Sequence, residues 1–354
     1  FMWFGTQDGL NKYDGYDFTV YKHNVFDSTS ISDSWIFSIC EDHTGALWVG
    51  TASGLNRFDR IHNRFIRIKM NTVNFPLVNA IYEDRDMILW IGTSSGLVRF
   101  YQEKQEFKQF VHDPHDRTSL ADNFVTSIFE DSKGILWVGT YKGPLWIGPF
   151  GALNRFDRST GSFIRFVHDS KDHFSLSGGG VRATVEDSAG TLWVATWPGG
   201  LHRFDSARSN FTHYKHNPTD PHSLSSNDVV TLCVTRRGVQ NLWVSTYNGL
   251  DKFDYSTNRF IRFLNDPLIP TSLSNSRIYS LYEDRSGRLW IGTWGGGLNI
   301  LDPAQKQFAH NTKIPHLVNS LSEKIVWAIT TDRAGNVWVG TDNGLNKFDR
   351  DRGK

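Results

Sequence analysis

Eight times in this sequence a pentad of the type Leu-Trp-Val-Gly-Thr occurs, and the residue after it differs from copy to copy: Gln7, Ala52, Ser94, Tyr141, Trp197, Tyr247, Trp294 and Asp342. Four successive copies therefore offer an aromatic ring. Flat aromatic faces pack on the apolar faces of sugar rings while nearby polar groups fix the hydroxyls, so the chemistry on offer is non-covalent recognition of a carbohydrate. The plainer use of these rings is to cover the adjacent glycine turns, Gly199-Gly200 and Gly295-Gly296-Gly297. Two arginines accompany them: Arg182, after the Ser177-Gly178-Gly179-Gly180 run, and Arg277. A guanidinium grips a carboxylate or sulfate through paired hydrogen bonds, although most surface arginines are only solvated or paired across the surface. Tyr141, Trp197, Tyr247, Trp294, Arg182 and Arg277 form the candidate ligand-binding set.

Other chemistry is less well supported. His23, His112, His168 and His216 recur at matching positions that begin four crossover loops. They belong to separate repeats, too far apart to share an ion with bonds of about 2 Å; loop capping is the expected use, and no metal or cofactor is expected. An Asp-x-x-Gly-x-x-Trp pattern occurs at Asp42, Asp131, Asp187, Asp284 and Asp332. Calcium binding or acid catalysis would need one constellation, whereas a feature repeated in five units reads as turn chemistry, with Asp bonding its own turn and Gly at positive φ. Cys40 and Cys233 sit at the same position of two repeats and are expected to be buried free thiols. No residue set is singled out as catalytic.

Charge excludes two partner classes. Lys and Arg number 38 against 37 Asp and Glu, so no net field draws the chain to nucleic acid or to an anionic membrane. No apolar run approaches the roughly 18 residues that span a bilayer, and no signal-peptide pattern is present. The sequence opens at Phe1 inside a repeat, as expected of a fragment of a longer chain, without direct membrane contact of its own.

The elements that must hold these residues follow from the repeat. Its tryptophans are Trp3, Trp48, Trp90, Trp137, Trp193, Trp243, Trp290 and Trp338, spaced by 42 to 56 residues, a range fitting a four-stranded propeller blade. Each full unit has four short apolar runs: an alternating one such as Val125-Thr126-Ser127-Ile128-Phe129, the pentad, a Gly-Leu run such as Gly54-Leu55-Asn56-Arg57-Phe58-Asp59, and one opening on Phe, as at Phe65 and Phe260. Runs this short, bounded by Gly, Asp and Asn, are hairpin strands. The pattern predicts an all-β chain, residues 1–354 being one β-propeller of four-stranded antiparallel blades. Thirty strands are expected, the first unit lacking its first strand and the last its fourth. Eight blades use every strand; seven would leave a Trp-bearing hairpin unburied at roughly 25 cal/mol per Å2 of apolar surface. In such blades the turn after the pentad and the crossover to the next unit share one face. That face would carry the site, with Trp35, Asn123, Arg182, Asp228, Arg277 and Trp327 around the channel. Three units depart from the pattern: Met87 replaces a turn glycine, Thr235 replaces the turn aspartate, and an insertion runs from Tyr141 to Gly151.

The pentad, the following Gly-Leu-Asn-Arg-Phe-Asp, the preceding Ile-x-Glu-Asp-x-x-Gly and the crossovers Ser119-Leu120-Ala121-Asp122-Asn123 and Ser223-Leu224-Ser225-Ser226-Asn227 closely resemble the two-component regulator propeller repeat, over essentially the whole chain. The resemblance implies the periplasmic sensing part of a bacterial hybrid two-component system that detects glycan fragments, is not an enzyme, and works with attached kinase or output domains missing from this chain. A weaker resemblance, to lyase-type propellers, leaves a polysaccharide lyase using Tyr141, Lys142 and Arg182 as the alternative. A protein-interaction platform is the third reading.

Overall fold

The computed structural model describes residues 2–13, 18–70, 76–142, 151–235, 240–284, 286–302, 307–315, 320–332 and 336–348. Among them are thirty strands and no helix, in eight sheets that run in order from the N-terminus. Consecutive strands are neighbours in every sheet; the first and last sheets have three strands and the other six have four. This is the β-propeller architecture with eight blades rather than seven, and the two short blades are the ones the sequence predicts. The chain divides into two compact units, Phe1–Thr184 and Val185–Lys354. The boundary falls inside Gly180–Glu186, the first strand of the fifth sheet.

The repeated aspartate explains the hairpins. One Asp42 oxygen accepts the Thr44 and Ala46 N–H groups, each at 2.9 Å, and the other accepts the Trp48 indole N–H at 2.7 Å. The same indole bond is made by Asp84 to Trp90, Asp131 to Trp137, Asp187 to Trp193, Asp284 to Trp290 and Asp332 to Trp338, at 2.7 to 3.2 Å. Turn chemistry is therefore the role of these aspartates. The sequence pattern omits Asp84 because Met87 stands where glycine is usual; Met87 nonetheless takes φ 60°, and its N–H donates to the Asp84 carbonyl at 2.9 Å.

The pentad indoles also join one sheet to the next, Trp3 among them although no aspartate holds it. Trp3 lies edge-on to Phe58, Trp48 to Phe100 and Trp90 to Phe156 in the first unit, with centroids 4.5 to 5.6 Å apart. In the second unit Trp193 meets Phe253 and Trp290 meets Phe348 in the same way, at 4.8 and 5.0 Å. Burying an indole removes about 200 Å2 from water, worth up to roughly 5 kcal/mol. The pentad glycine permits the close approach: a Cβ at Gly92 would stand 2.6 Å from Val125 Cγ1, and one at Gly50 2.8 Å from the Val78 carbonyl oxygen.

A buried asparagine on the third strand clamps the crossover loop. Asn56 accepts the Ser32 N–H at 2.9 Å and donates to the Val49 carbonyl at 3.3 Å; Asn154 accepts from Ala121 and donates to Val138, both at 2.9 Å. In the sixth sheet Asp251 holds this position. One of its oxygens accepts the Ser225 N–H and hydroxyl at 3.0 and 2.7 Å, while the other is buried without a hydrogen-bond partner. Burial pushes its pKa up to about 6, against the Ser225 bonds and the charges of Arg262 and His216. Folded Asp251 thus holds its proton more tightly than the unfolded chain does, so its contribution is full below about pH 4 and is lost as pH rises through about 6. Asp251→Asn, which restores the amide donor, is expected to raise stability at pH 7.5 by on the order of 2 kcal/mol. The gain should shrink toward pH 4 in thermal melts; equal melting of the two proteins at pH 7.5 would contradict the assignment.

Candidate functional site

The site begins with an irregularity in the innermost strands. Register shifts occur between Ile36 and Ser38, Val78 and Ala80, Val125 and Ser127, Val229 and Thr231, Ile278 and Ser280, and Val326 and Ala328. A bulge leaves one residue out of the ladder and re-aims its side chain. The residues so placed are Phe37, Asn79, Thr126, Val230, Tyr279 and Trp327. In the first unit two of them bond to the neighbouring strand: the Asn79 amide donates to the Val125 carbonyl at 2.9 Å, and the Thr126 hydroxyl to the Val181 carbonyl at 2.6 Å. In the second unit Tyr279 and Trp327 bring rings instead.

A second pairing places the residues that follow the pentad. The Tyr247 N–H donates to the Asp228 carbonyl at 3.2 Å, that of Trp294 to Arg277 at 2.9 Å, and that of Asp342 to Ile325 at 3.1 Å. Each turn is thereby tied to the end of its own sheet's crossover, as expected for one shared face. The result is a continuous group of rings within the second unit. Trp197 meets Tyr247 edge-on at 6.0 Å. Tyr247 and Tyr279 lie 5.8 Å apart, Tyr279 and Trp294 5.3 Å, both pairs tilted by 34°. Trp327 closes the group, edge-on to Tyr279 at 5.3 Å and to Trp294 at 5.2 Å. All five side chains belong to part-exposed residues.

Three charged side chains border the rings. The Arg277 guanidinium stands 5.5 Å from the Tyr247 ring centre, a cation–π geometry. Asp228 is part-buried; desolvation raises its pKa above the usual carboxylate range, and the hydrogen bond with the Trp197 side chain opposes that rise. Asp342, exposed, accepts the Trp327 indole N–H at 3.3 Å. Rings with hydrogen-bonding groups at their margins suit a polar ligand that has apolar faces.

The structure thus gathers four of the six expected residues, Trp197, Tyr247, Trp294 and Arg277, in one unit. Tyr141 and Arg182 lie in the other. Tyr141 is a correction: it is 1% exposed, packs beside Phe124, and its ring fills the space that a Cβ at Gly180 would need. It is a core residue, not a platform. Arg182 is part-buried in the strand Gly180–Glu186. Of the insertion, residues 143–150 lie outside the described residues. Tyr279 was not among the expected residues, because a strictly alternating strand has no extra residue there. Trp35 stacks on Phe37 at 5.1 Å in the first unit.

The histidines cap loops as expected. Nδ1 of His23, His112, His168 and His216 bonds the carbonyl of Ile31, Leu120, Leu176 and Leu224 respectively, at 2.7 to 3.1 Å. Both cysteines are free thiols, part-buried rather than fully buried, and burial pushes Cys40 up to about 11.

Five segments, residues 30–53, 119–142, 175–197, 272–295 and 320–343, match the family model described as two component regulator propeller. A stretch of 31 residues is 61% identical to part of histidine kinase P4 of Formosa agariphila, covering 9% of this chain and 2% of that protein. Among solved structures, the extracellular domain of a protein described as a hybrid two component system of B. thetaiotaomicron is 21% identical, with 99% of this chain and 52% of that chain covered and a TM-score of 0.42. The chain spans about half of that domain. Virginiamycin B lyase from Staphylococcus aureus is 15% identical, with 88% and 94% covered and a TM-score of 0.59, a likeness of fold alone.

Asp228 and Trp197 supply a test of the site's electrostatics. Indole emission is expected to titrate above the usual carboxylate range, and Asp228→Asn should abolish that transition. A transition that survives in the variant would assign it elsewhere.

Proposed function

Because the chain carries the repeat of the two-component regulator propeller family, we propose that it is the extracytoplasmic ligand-sensing part of a regulatory protein and that its second unit takes a glycan fragment without transforming it. The observation that carries the ligand reading is the joined, part-exposed ring group Trp197, Tyr247, Tyr279, Trp294 and Trp327, with Arg277 over one of its faces. Buried rings are ordinary in this chain; rings left part-exposed at the convergence of four sheets are not explained by packing. A saccharide offers flat apolar faces and hydroxyls together, which matches rings bordered by a guanidinium and two carboxylates. The kinase that shares a 31-residue stretch supports the regulatory setting.

A binding role without turnover agrees with how the carboxylates are used. The repeated aspartates are engaged by their own turns and indoles. The bordering groups sit at the edges of a stacking surface, where they orient hydroxyls. Regulation then requires only that binding stabilise the unit: a ligand at 100 times its dissociation constant adds about 2.7 kcal/mol.

Thermal melting against an oligosaccharide array is expected to give an upward shift with at least one saccharide, and chromatography of the incubated sugar to show it intact. Tyr279→Ala and Trp294→Ala should each weaken binding by roughly 30-fold, the scale of a central aromatic anchor worth about 2 kcal/mol. Cleaved sugar would refute the non-catalytic role, and undiminished binding by both variants would refute the site.

A further inference from the structure

We infer that the ring surface selects saccharides carrying one isolated anionic group, a carboxylate or a sulfate ester, held at Arg277 and flanked by uncharged sugar residues; this rests on the glycan reading above. Arg277 differs from other arginines of the chain. Arg158 is engaged by Asp84, Asp86 and Glu130 at 2.8 to 3.1 Å, and Arg262 bonds the carbonyls of Ser223, Asp220 and Leu224 at 2.6 to 2.9 Å. Arg277 is exposed, and no carboxylate pairs with it among the described residues. What holds its guanidinium is the Tyr247 ring at 5.5 Å, while its backbone N–H is fixed by the Asn275 side chain at 2.8 Å. A guanidinium over a ring keeps in-plane N–H donors for a second partner, and that fork matches a carboxylate or sulfate. The cation is thus pre-placed beside the rings.

The neighbouring carboxylates limit how much negative charge the surface accepts. Asp228 stands at the Trp197 end, within hydrogen-bonding reach of its indole, and Asp342 stands at the Trp327 end. Asp228 and Arg277 hold the same position in successive sheets, each accepting the N–H of the ring residue that follows the pentad. The order along the rings is therefore carboxylate, guanidinium, carboxylate. Sugar hydroxyls can donate to the outer two, whereas an anion on every sugar would face like charge there. Discrimination then comes from repulsion at the ends as well as attraction at the centre.

Isothermal titration of the intact chain at fixed ionic strength, with matched tetrasaccharides, tests this. The sulfate arm compares neocarratetraose monosulfate with its desulfated form; the carboxylate arm compares aldotetraouronic acid, which bears one methylglucuronate, with its carboxyl-reduced form; tetragalacturonate is the fully charged probe. In at least one arm the singly charged member should bind about tenfold more tightly than its neutral counterpart, and tetragalacturonate should bind more weakly than the singly charged sugar. In Arg277→Gln the charged-to-neutral ratio should fall to about one, with Arg277→Lys keeping it above one. Asp228→Asn and Asp342→Asn should strengthen tetragalacturonate binding. Equal wild-type affinity for neutral and charged members, or an Arg277→Gln variant with an unchanged ratio, overturns the inference and leaves the glycan reading standing. Binding of no saccharide overturns both.

Discussion

An indole N–H buried between two β-sheets must find an acceptor or forfeit part of what its ring gains by burial. Here the acceptor is supplied by the hairpin that precedes it: the turn aspartate closes its own turn with one oxygen and holds the tryptophan with the other, six times over. Turn geometry and blade-to-blade packing are thereby one constraint. The third repeat shows what persists when the turn glycine is lost. Met87 accepts a left-handed backbone that suits glycine, yet Asp84 and Trp90 keep their bond at 2.7 Å. The carboxylate and the indole are retained where the glycine is not.

With one end of six sheets engaged by that turn, the opposite end is where the repeats differ. Every described register of an innermost strand contains a bulge, so each such sheet presents one side chain outside its ladder. The first unit uses Asn79 and Thr126 to bond adjacent strands. The second unit places Tyr279 and Trp327 there, beside the rings that follow the pentads. The same backbone device serves cohesion in one unit and an accessible aromatic surface in the other.

The strands, their order and the two short sheets were legible from the sequence, because the Trp pentad, the Gly-Leu step and the Phe run each carry a period and a turn signal of their own. The candidate site was legible in part. Trp197, Tyr247 and Trp294 follow directly from position after the pentad, since the hairpin fixes where that residue points. Tyr141 obeys the same rule of position and fails it in space: the glycine at 180 leaves a gap that the Tyr141 ring fills. Glycine removes a side chain, and its effect on a neighbour more than thirty residues away has no local signature. Tyr279 was hidden for a different reason, since an inserted residue shifts the alternation from which facing is inferred.

The sixth repeat carries an aspartate where others carry the clamping asparagine, and this departure bears on the candidate site. Asp251, in place of the usual asparagine, holds Ser225 at the start of the Ser225–Asp228 loop, and the loop ends on Asp228 beside Trp197. The loop is further pinned by the Asn248 amide on the Ser225 carbonyl at 3.3 Å, by Gly200 N–H on the Asn227 carbonyl at 3.0 Å and by Tyr247 N–H on that of Asp228 at 3.2 Å. Two carboxylates whose pKa values burial raises thus sit at the two ends of one four-residue loop. A neutral Asp251 clamps that loop as asparagine does elsewhere, whereas an ionised one leaves a buried charge beneath it. The Trp197 edge of the aromatic surface is consequently held by a loop that a buried acid clamps from beneath. Pre-organisation of the rings and the protonation of the sixth sheet are therefore a single physical question.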